Sequence, residues 1–145
     1  MEYNWFLLCF HFGRRGREGW AAMTKATYKF STDSEGREYV MEAGTEKTKN
    51  HQGGFKQWDL DYSDARMYGK GVILLKFMLS KLHPELDRLF QHPLKHFEFS
   101  GHWFRKEPCG KDKLGSIMKS ISKKANLSTV YTCCRLVSTP ASSSR

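Results

Sequence analysis

The sequence predicts an α+β fold, in which a small antiparallel sheet packs beside helices. Two observations carry this prediction. Apolar and polar residues alternate on both sides of a turn within 28–41, as in a β-hairpin. Apolar residues recur at helical spacing before that segment and again after it. The chain has 145 residues, so we expect one folded unit over 1–139 and a flexible Ser-rich tail over 140–145.

The first element is predicted to be a single helix over 2–18. A broad apolar face runs from Trp5 to Phe12, and Gly13 and Gly16 fall near the end, where helices commonly stop. Cations at a helix C-terminus interact favourably with the helix dipole, which is the simplest explanation of a basic cluster there. This cluster consists of Arg14, Arg15 and Arg17.

The next elements are predicted to be strands. Residues 28–30 and 37–41 alternate around a turn at 33–36, which predicts a hairpin. A short third strand is expected over 65–68. Between the hairpin and this strand, 47–54 forms a polar, basic loop that ends in two glycines.

The segment 71–125 is predicted to be helical with one long break. Apolar residues from Val72 to Leu82 cover nearly the whole circumference of the first helix, so we expect that helix to be buried. Pro84 limits it, and a loop marked by His and Pro is expected to continue to Pro108. The last helix has one apolar face surrounded by lysines. The apolar residues are Leu114, Ile117, Met118, Ile121 and Ala125, and the lysines are Lys113, Lys119, Lys123 and Lys124.

The charge balance favours a polyanionic partner. Lysine and arginine number 24 against 15 acidic residues, which gives a formal net charge of +9. Nucleic acid is the usual partner of such a chain, and a basic surface that only keeps the protein soluble is the alternative. No apolar run approaches the roughly 18 residues that a membrane span needs, so we expect no membrane partner.

The cysteines do not form a disulfide or zinc-binding pattern. They stand at positions 9, 109, 133 and 134, without a Cys-x-x-Cys spacing. We therefore expect reduced thiols in the cytosol or nucleus. A structural zinc site would need four ligands at recurring short spacings, so no metal is expected. We also expect no cofactor and no small-molecule substrate.

Several unusual short strings follow one another along the chain. They are Phe10-His11-Phe12-Gly13-Arg14-Arg15-Gly16-Arg17-Glu18, Gly36-Arg37-Glu38-Tyr39-Val40, Thr48-Lys49-Asn50-His51-Gln52-Gly53-Gly54, Ala65-Arg66-Met67-Tyr68, Leu79-Ser80-Lys81-Leu82-His83-Pro84 and Leu114-Gly115-Ser116-Ile117-Met118-Lys119. Together they resemble the Crypton-type tyrosine recombinase catalytic domain. That domain also occurs at the C-terminus of zinc finger MYM-type and related glutamine-rich proteins. The resemblance covers roughly residues 5–139 and implies a tyrosine-recombinase-like fold that is truncated at its C-terminus.

The resemblance also implies which residues take part in DNA strand transfer. In the family, a tyrosine attacks a DNA phosphodiester, two arginines hold the phosphoryl oxygens, and a lysine protonates the departing hydroxyl. Arg15 matches the first arginine, with Glu18 as the acid three residues later. Lys49 matches the lysine on the hairpin loop, and Lys47 is a second candidate for that role. We expect Arg15 and Lys49 to lie near each other on one concave, basic face.

Two catalytic positions of the family are changed in this chain. The family's His-x-x-Arg pair falls at Cys134 and Val137, so the histidine and the second guanidinium are both absent. The resemblance also implies a nucleophilic tyrosine on a helix that would follow these residues and that the sequence lacks. Loss of one preorganised donor costs on the order of 10²–10³ in rate, so we expect no strand transfer.

The expected function is therefore residual, non-specific DNA binding in the nucleus by an inactive, transposon-derived domain. The residues expected to contact DNA are Arg14, Arg15, Arg17, Lys47, Lys49, Lys113, Lys119 and Lys123. One alternative is a nuclear protein-interaction module, which predicts an exposed apolar patch instead of a basic groove. A second alternative is a truncated reading frame without a maintained function, since the resemblance collapses over the last fifteen residues.

Overall fold

The computed structural model describes residues 1–13, 17–43, 65–97 and 99–132, and only the backbone of Arg17 and Glu18. These residues form five helices and five strands. In chain order they are α1 (Glu2–Phe12), α2 (Arg17–Ala22), β1 (Tyr28–Thr32), β2 (Glu38–Glu42), β3 (Met67–Tyr68), α3 (Lys70–Lys81), β4 (Gln91–Pro93), β5 (Phe104–Pro108), α4 (Lys111–Gly115) and α5 (Ile117–Lys124). The mixed arrangement with two small antiparallel sheets confirms the predicted α+β class. The tail expected over 140–145 lies outside the described residues.

The N-terminal segment forms two helices, so the single helix predicted over 2–18 is wrong. Helix α1 ends at Gly13, which adopts the left-handed conformation with φ 59° and ψ 20°. Its backbone N–H donates to the carbonyl oxygen of Cys9 at 3.0 Å. Glycine reaches this conformation without the steric cost that a Cβ brings, which makes it a common helix terminator. Helix α2 begins at Arg17.

The predicted hairpin and third strand are both present in one sheet. Strands β1 and β2 pair antiparallel, and β3 pairs antiparallel with β2 through Val40 and Met67. At the hairpin turn the Asp33 carboxylate accepts hydrogen bonds from the backbone N–H groups of Glu35 and Arg37, at 3.0 and 2.9 Å. These bonds favour the charged carboxylate, and the contact with the Arg37 backbone is the largest cause of the lowered pKa of Asp33.

Helix α3 buries one stripe only, so the prediction of a helix buried on all sides is wrong. Val72, Leu75 and Met78 are buried, whereas 67% of the Ile73 surface and 47% of the Phe77 surface are exposed. The helix packs against α1 and the three-stranded sheet on one face. The apolar residues of α3 therefore belong to two different surfaces, one packed in the core and one exposed to solvent.

The chain between α3 and α4 was expected to be a loop, and it contains a second sheet. Strands β4 and β5 pair antiparallel, with Gln91 opposite Pro108 and Pro93 opposite Phe104. A proline has no N–H to donate, so its presence argues against a central strand, but an edge position tolerates it. The pairing of β4 with β5 therefore produces strands in a segment whose sequence has little of the alternation typical of strands.

The core joins both sheets to the helices, and aromatic residues form its centre. The Trp5 and Trp20 rings lie 5.5 Å apart, and Trp20 contacts the Phe90 ring at 5.9 Å. All three residues are at least 98% buried. The aliphatic part of the core is supplied mainly by Leu8, Val40, Leu75, Leu82, Leu89, Leu114 and Ile117.

The C-terminal helices bury part of the predicted apolar face: Ile121 is half-buried and Ala125 is exposed, and Ser116 separates α4 from α5. Leu114, Ile117 and Met118 are buried, and the Ser122 hydroxyl donates to the Met118 carbonyl at 2.9 Å. Among the helices that the described residues form, none has the length and apolar character that a membrane crossing requires.

Candidate nucleic-acid interface

The lysines of α4 and α5 form an exposed basic surface, which we call the lysine face and define as Lys113, Lys119 and Lys123. Lys119 and Lys123 are one helical turn apart, on the side of α5 that points away from buried Met118 and Ser122. None of the three lysines makes an ion pair with another residue that the structure describes. Their charges are therefore available to an external anion.

The sequence around this surface is also basic. Residues 105–132 contain seven lysines or arginines and two acidic residues. Within α5, Lys124 forms an ion pair, because its Nζ lies 2.7 Å from the Glu2 carboxylate of α1. The ion pair crosses from the C-terminal end of α5 to the first turn of α1. Lys119 and Lys123 are the cations of α5 that form no ion pair with another described residue.

A second pair of cations borders a shallow cleft that sequence reasoning missed. The cleft has a volume of about 330 Å³ and is lined by Ala21, Ala22, Arg88 and Lys111. The Arg88 guanidinium donates to the Ala22 carbonyl at 2.9 Å and therefore caps the C-terminal end of α2. A contact between positions 66 residues apart cannot be recognised from local sequence periodicity.

The remaining predicted DNA contacts lie outside the described part of the chain. This applies to Arg14 and Arg15, to Lys47 and Lys49, and to the side chain of Arg17. The family positions Glu18, Cys134 and Val137 are likewise not described beyond the backbone of Glu18. The expected approach of Arg15 to Lys49 therefore stays a prediction.

An aromatic cluster, which we call the aromatic platform, lies near the C-terminal end of α3. It consists of Phe77, Phe97 and Trp103, with ring centroids 5.1 Å apart for Phe77–Trp103 and 4.9 Å apart for Phe97–Trp103. Phe77 and Phe97 are exposed, and Trp103 is half-buried against the core. The Lys81 ammonium lies 5.7 Å from the Phe77 ring centroid and 5.3 Å from that of Trp103. These are cation–π distances. Phe99 follows in the same loop and is 98% exposed.

Backbone hydrogen bonds fix the base of the aromatic platform. The Trp103 N–H donates to the Lys81 carbonyl at 2.8 Å, and the Trp103 carbonyl accepts from the Leu94 N–H at 2.8 Å. Trp103, at the end of the loop that carries Phe97, is thus bonded both to the last residue of α3 and to Leu94 at the start of the loop. The rings are presented by a hydrogen-bonded frame.

Buried Gln91 links this surface to the core. Its side chain accepts the His83 N–H at 2.8 Å and donates to the carbonyls of Leu86 and Arg88 at 3.1 and 2.9 Å. The His83 ring in turn packs against His102 at 4.6 Å, one residue before Trp103. Gln91 itself is fully buried. One polar side chain therefore holds the connection between α3 and β4.

Two of the described acidic residues near the platform, Glu85 and Glu107, form ion pairs with cations of β5. Lys106 lies 2.9 Å from the Glu85 carboxylate and donates the hydrogen bond that is the main cause of its lowered pKa. Arg105 lies 3.4 Å from the Glu107 carboxylate. Within the described ranges, no group of three or more His, Cys, Asp or Glu residues is arranged to hold a metal ion.

The thiols that the structure describes are buried. Cys9 has no exposed surface and Cys109 has 2%. Burial raises the pKa of the Cys109 thiol, which opposes formation of the reactive thiolate. These environments are those of core residues and do not resemble a nucleophilic site.

Comparison with protein-family models, with curated proteins and with solved structures gives no match. The function of the chain is therefore argued from its own residues. The aromatic platform is the main feature that sequence reasoning missed. Aromatic and basic residues alternate irregularly over 94–106, and this pattern is the sequence signal for such a surface. From the sequence alone, only a loop is expected there.

Proposed function

We propose that the chain is a catalytically inactive, recombinase-like domain that binds DNA without sequence preference, in the nucleus. The observation that carries this proposal is the lysine face, whose cations are exposed on a rigid helical surface and have no described ion-pair partner. Phosphate contacts by lysine supply most of the affinity in non-specific binding, which falls typically at about 10⁻⁴–10⁻⁶ M at physiological salt.

The proposed inactivity rests on the sequence at the two altered family positions. Cys134 has a thiol where the family has a histidine, the usual acid–base group, and Val137 has no donor for a phosphoryl oxygen. A suicide DNA substrate resolved on a denaturing gel tests this directly. We expect no covalent protein–DNA band, and such a band would overturn the assignment as inactive.

A salt titration of duplex affinity tests the DNA-binding proposal. Each phosphate contact contributes about 0.9 to the negative slope of log affinity against log salt. The double variant Lys119→Gln/Lys123→Gln should therefore bind a random-sequence duplex more weakly, with a slope reduced by about 2. The matched control is Lys29→Gln/Lys70→Gln, which removes the same charge from exposed positions on β1 and α3.

The two variants separate a specific surface from general charge. If both double variants lose affinity and slope equally, the net charge of +9 acts without a defined interface and the proposed role of the lysine face is wrong. Absence of duplex binding by the unmodified chain at low salt would reject DNA binding altogether.

A further inference from the structure

We propose that the aromatic platform, together with Phe99, binds unpaired bases of a single-stranded nucleic acid. The inference rests on the proposed function in assuming a nucleic-acid partner, and it goes beyond it in assigning a second surface with a different recognition chemistry. The lysine face contacts phosphates, whereas the platform offers rings on which bases stack.

The exposure of these aromatic side chains is the first argument. Phe99 is 98% exposed, Phe77 47% and Phe97 38%. A phenylalanine left in water forgoes the free energy that its burial would give, so one exposed ring is ordinary but a group of neighbouring rings marks a binding surface. Tyr3, Phe10 and Tyr68 are also exposed elsewhere on the described surface, so exposure alone does not single out the platform. The platform combines three rings in contact, the exposed Phe99 of the same loop, and a lysine beside two of the rings.

The position of positive charge is the second argument. The Lys81 ammonium is held beside the Phe77 and Trp103 rings by cation–π contacts. A strand that stacks its bases on these rings would bring its phosphates to the same edge. Lys95 is exposed in the adjoining loop and forms no ion pair with another described residue. Lys81 and Lys95 are thus cations beside the platform that can complement a polyanion.

Among the described residues, the carboxylates of Glu85 and Glu107, which would otherwise repel a phosphate, are each paired with a cation of β5. Glu98 lies outside the described residues. Lys81 lies beside the rings of the platform. Stacking sites for single strands combine aromatic and basic side chains, whereas a Pro-rich peptide, which also docks on aromatic rings, does not require the cations. The cations beside the rings therefore favour a nucleic acid over a peptide.

Fluorescence anisotropy of the full chain tests the inference with a labelled oligothymidine of about twelve nucleotides, within the range of known site sizes. Phe99→Ser and Phe77→Ser should each weaken binding by about fivefold or more, because each removes a stacking partner. Phe99→Leu should weaken binding as Phe99→Ser does, since leucine keeps an apolar surface but has no π face. Binding of a random-sequence duplex should be unchanged in all three variants.

The matched control is Ile73→Ser. Ile73 is also exposed on α3, one turn before Phe77, and its removal should leave oligothymidine binding unchanged. Lys81→Gln should lower the salt slope of oligothymidine binding by about 1. Circular dichroism of each variant checks that it is folded. We expect the Phe99 variants in particular to fold normally, since Phe99 lies almost entirely in solvent.

The outcomes separate this inference from the proposed function. If Lys119→Gln/Lys123→Gln weakens binding of both nucleic acids while the phenylalanine variants bind normally, the inference is overturned and duplex binding stands. If duplex binding is absent but oligothymidine binding depends on the rings, the inference stands alone. If Phe99→Leu binds as the unmodified chain does, or if the Phe→Ser variants change only self-association in sedimentation, the platform is a protein contact and the inference fails.

Discussion

Two aromatic clusters in this chain use the same residue types in opposite ways. The inner cluster, which consists of Trp5, Trp20 and Phe90, is at least 98% buried at the centre of the core. The aromatic platform has similar ring-to-ring distances, but its Phe77 and Phe97 rings are exposed and only Trp103 is half-buried against the core. Ring contacts alone therefore do not reveal whether a cluster stabilises the fold or serves recognition. The two clusters differ in what covers them. Other described residues enclose the inner cluster, whereas they leave Phe77 and Phe97 of the platform exposed.

The largest expected effect is at the inner cluster. Trp5→Ala should lower the free energy of unfolding by about 3–5 kcal/mol, because it removes a fully buried ring and leaves a cavity. Urea denaturation measures this loss. Trp5→Phe should lose less, since an aromatic ring remains and the Trp5 indole N–H has no hydrogen-bond acceptor among the described residues. Equal losses for Phe and Ala would show that the indole itself is essential to the packing.

An intermediate effect is expected at Gln91, which lies between the two clusters. Gln91→Leu would leave the His83 N–H and two backbone carbonyls without their partner in the interior. The expected loss is about 1–3 kcal/mol of unfolding free energy. Ser80→Ala is the control, because that hydroxyl donates to the Phe77 carbonyl from an exposed position and should contribute less than about 0.5 kcal/mol. A neutral Gln91→Leu variant would mean that the connection does not depend on these bonds.

The platform itself should contribute little to stability. Phe99→Ser should change the free energy of unfolding by no more than about 0.5 kcal/mol, as for surface substitutions generally. The same denaturation experiment sets this result beside the loss for Trp5→Ala. A decrease of more than about 1 kcal/mol would place Phe99 in a packed environment and would remove the contrast between the clusters.

The smallest effect is expected at the ion pair beside the platform. The pKa of Glu85 is lowered mainly by its hydrogen bond from Lys106, so its stabilisation is present above the pKa of the unfolded carboxyl. It is lost as pH falls through the lower pKa of the folded state. Glu85→Gln should lower the thermal midpoint slightly at pH 7 and not at all near pH 2. A difference in thermal midpoint between Glu85→Gln and the unmodified chain that persists near pH 2 would contradict an electrostatic origin of this stabilisation.

The local elements of the fold were largely predictable because their signals are local. Alternation on both sides of Asp33 and Gly36 predicts the β1–β2 hairpin, and the carboxylate of Asp33 forms the turn through bonds two and four residues away. Apolar spacing around Leu114 and Met118 likewise predicts which face of the C-terminal helices is buried. In each case the partner groups lie within a few residues of one another.

The two candidate surfaces differed in how far the sequence could predict them. Lys119 and Lys123 could be assigned to a solvent-facing surface from helical spacing alone. The platform could not, because it joins Phe77 to Trp103 across 26 positions.

The sequence by itself determined the α+β class, the hairpin, the basic charge and the lysine face of α5. Each of these follows from composition or from periodicity over one or two turns. Only the tertiary structure decided that α3 would bury Val72 and expose Phe77, and that the segment from Gln91 to Pro108 would pair as a sheet. The physical reason is that an apolar side chain has the same preference for burial wherever it stands in the sequence. Whether that preference is satisfied depends on which distant segments reach it, and at the platform the described core covers part of Trp103 and leaves Phe77 and Phe97 exposed.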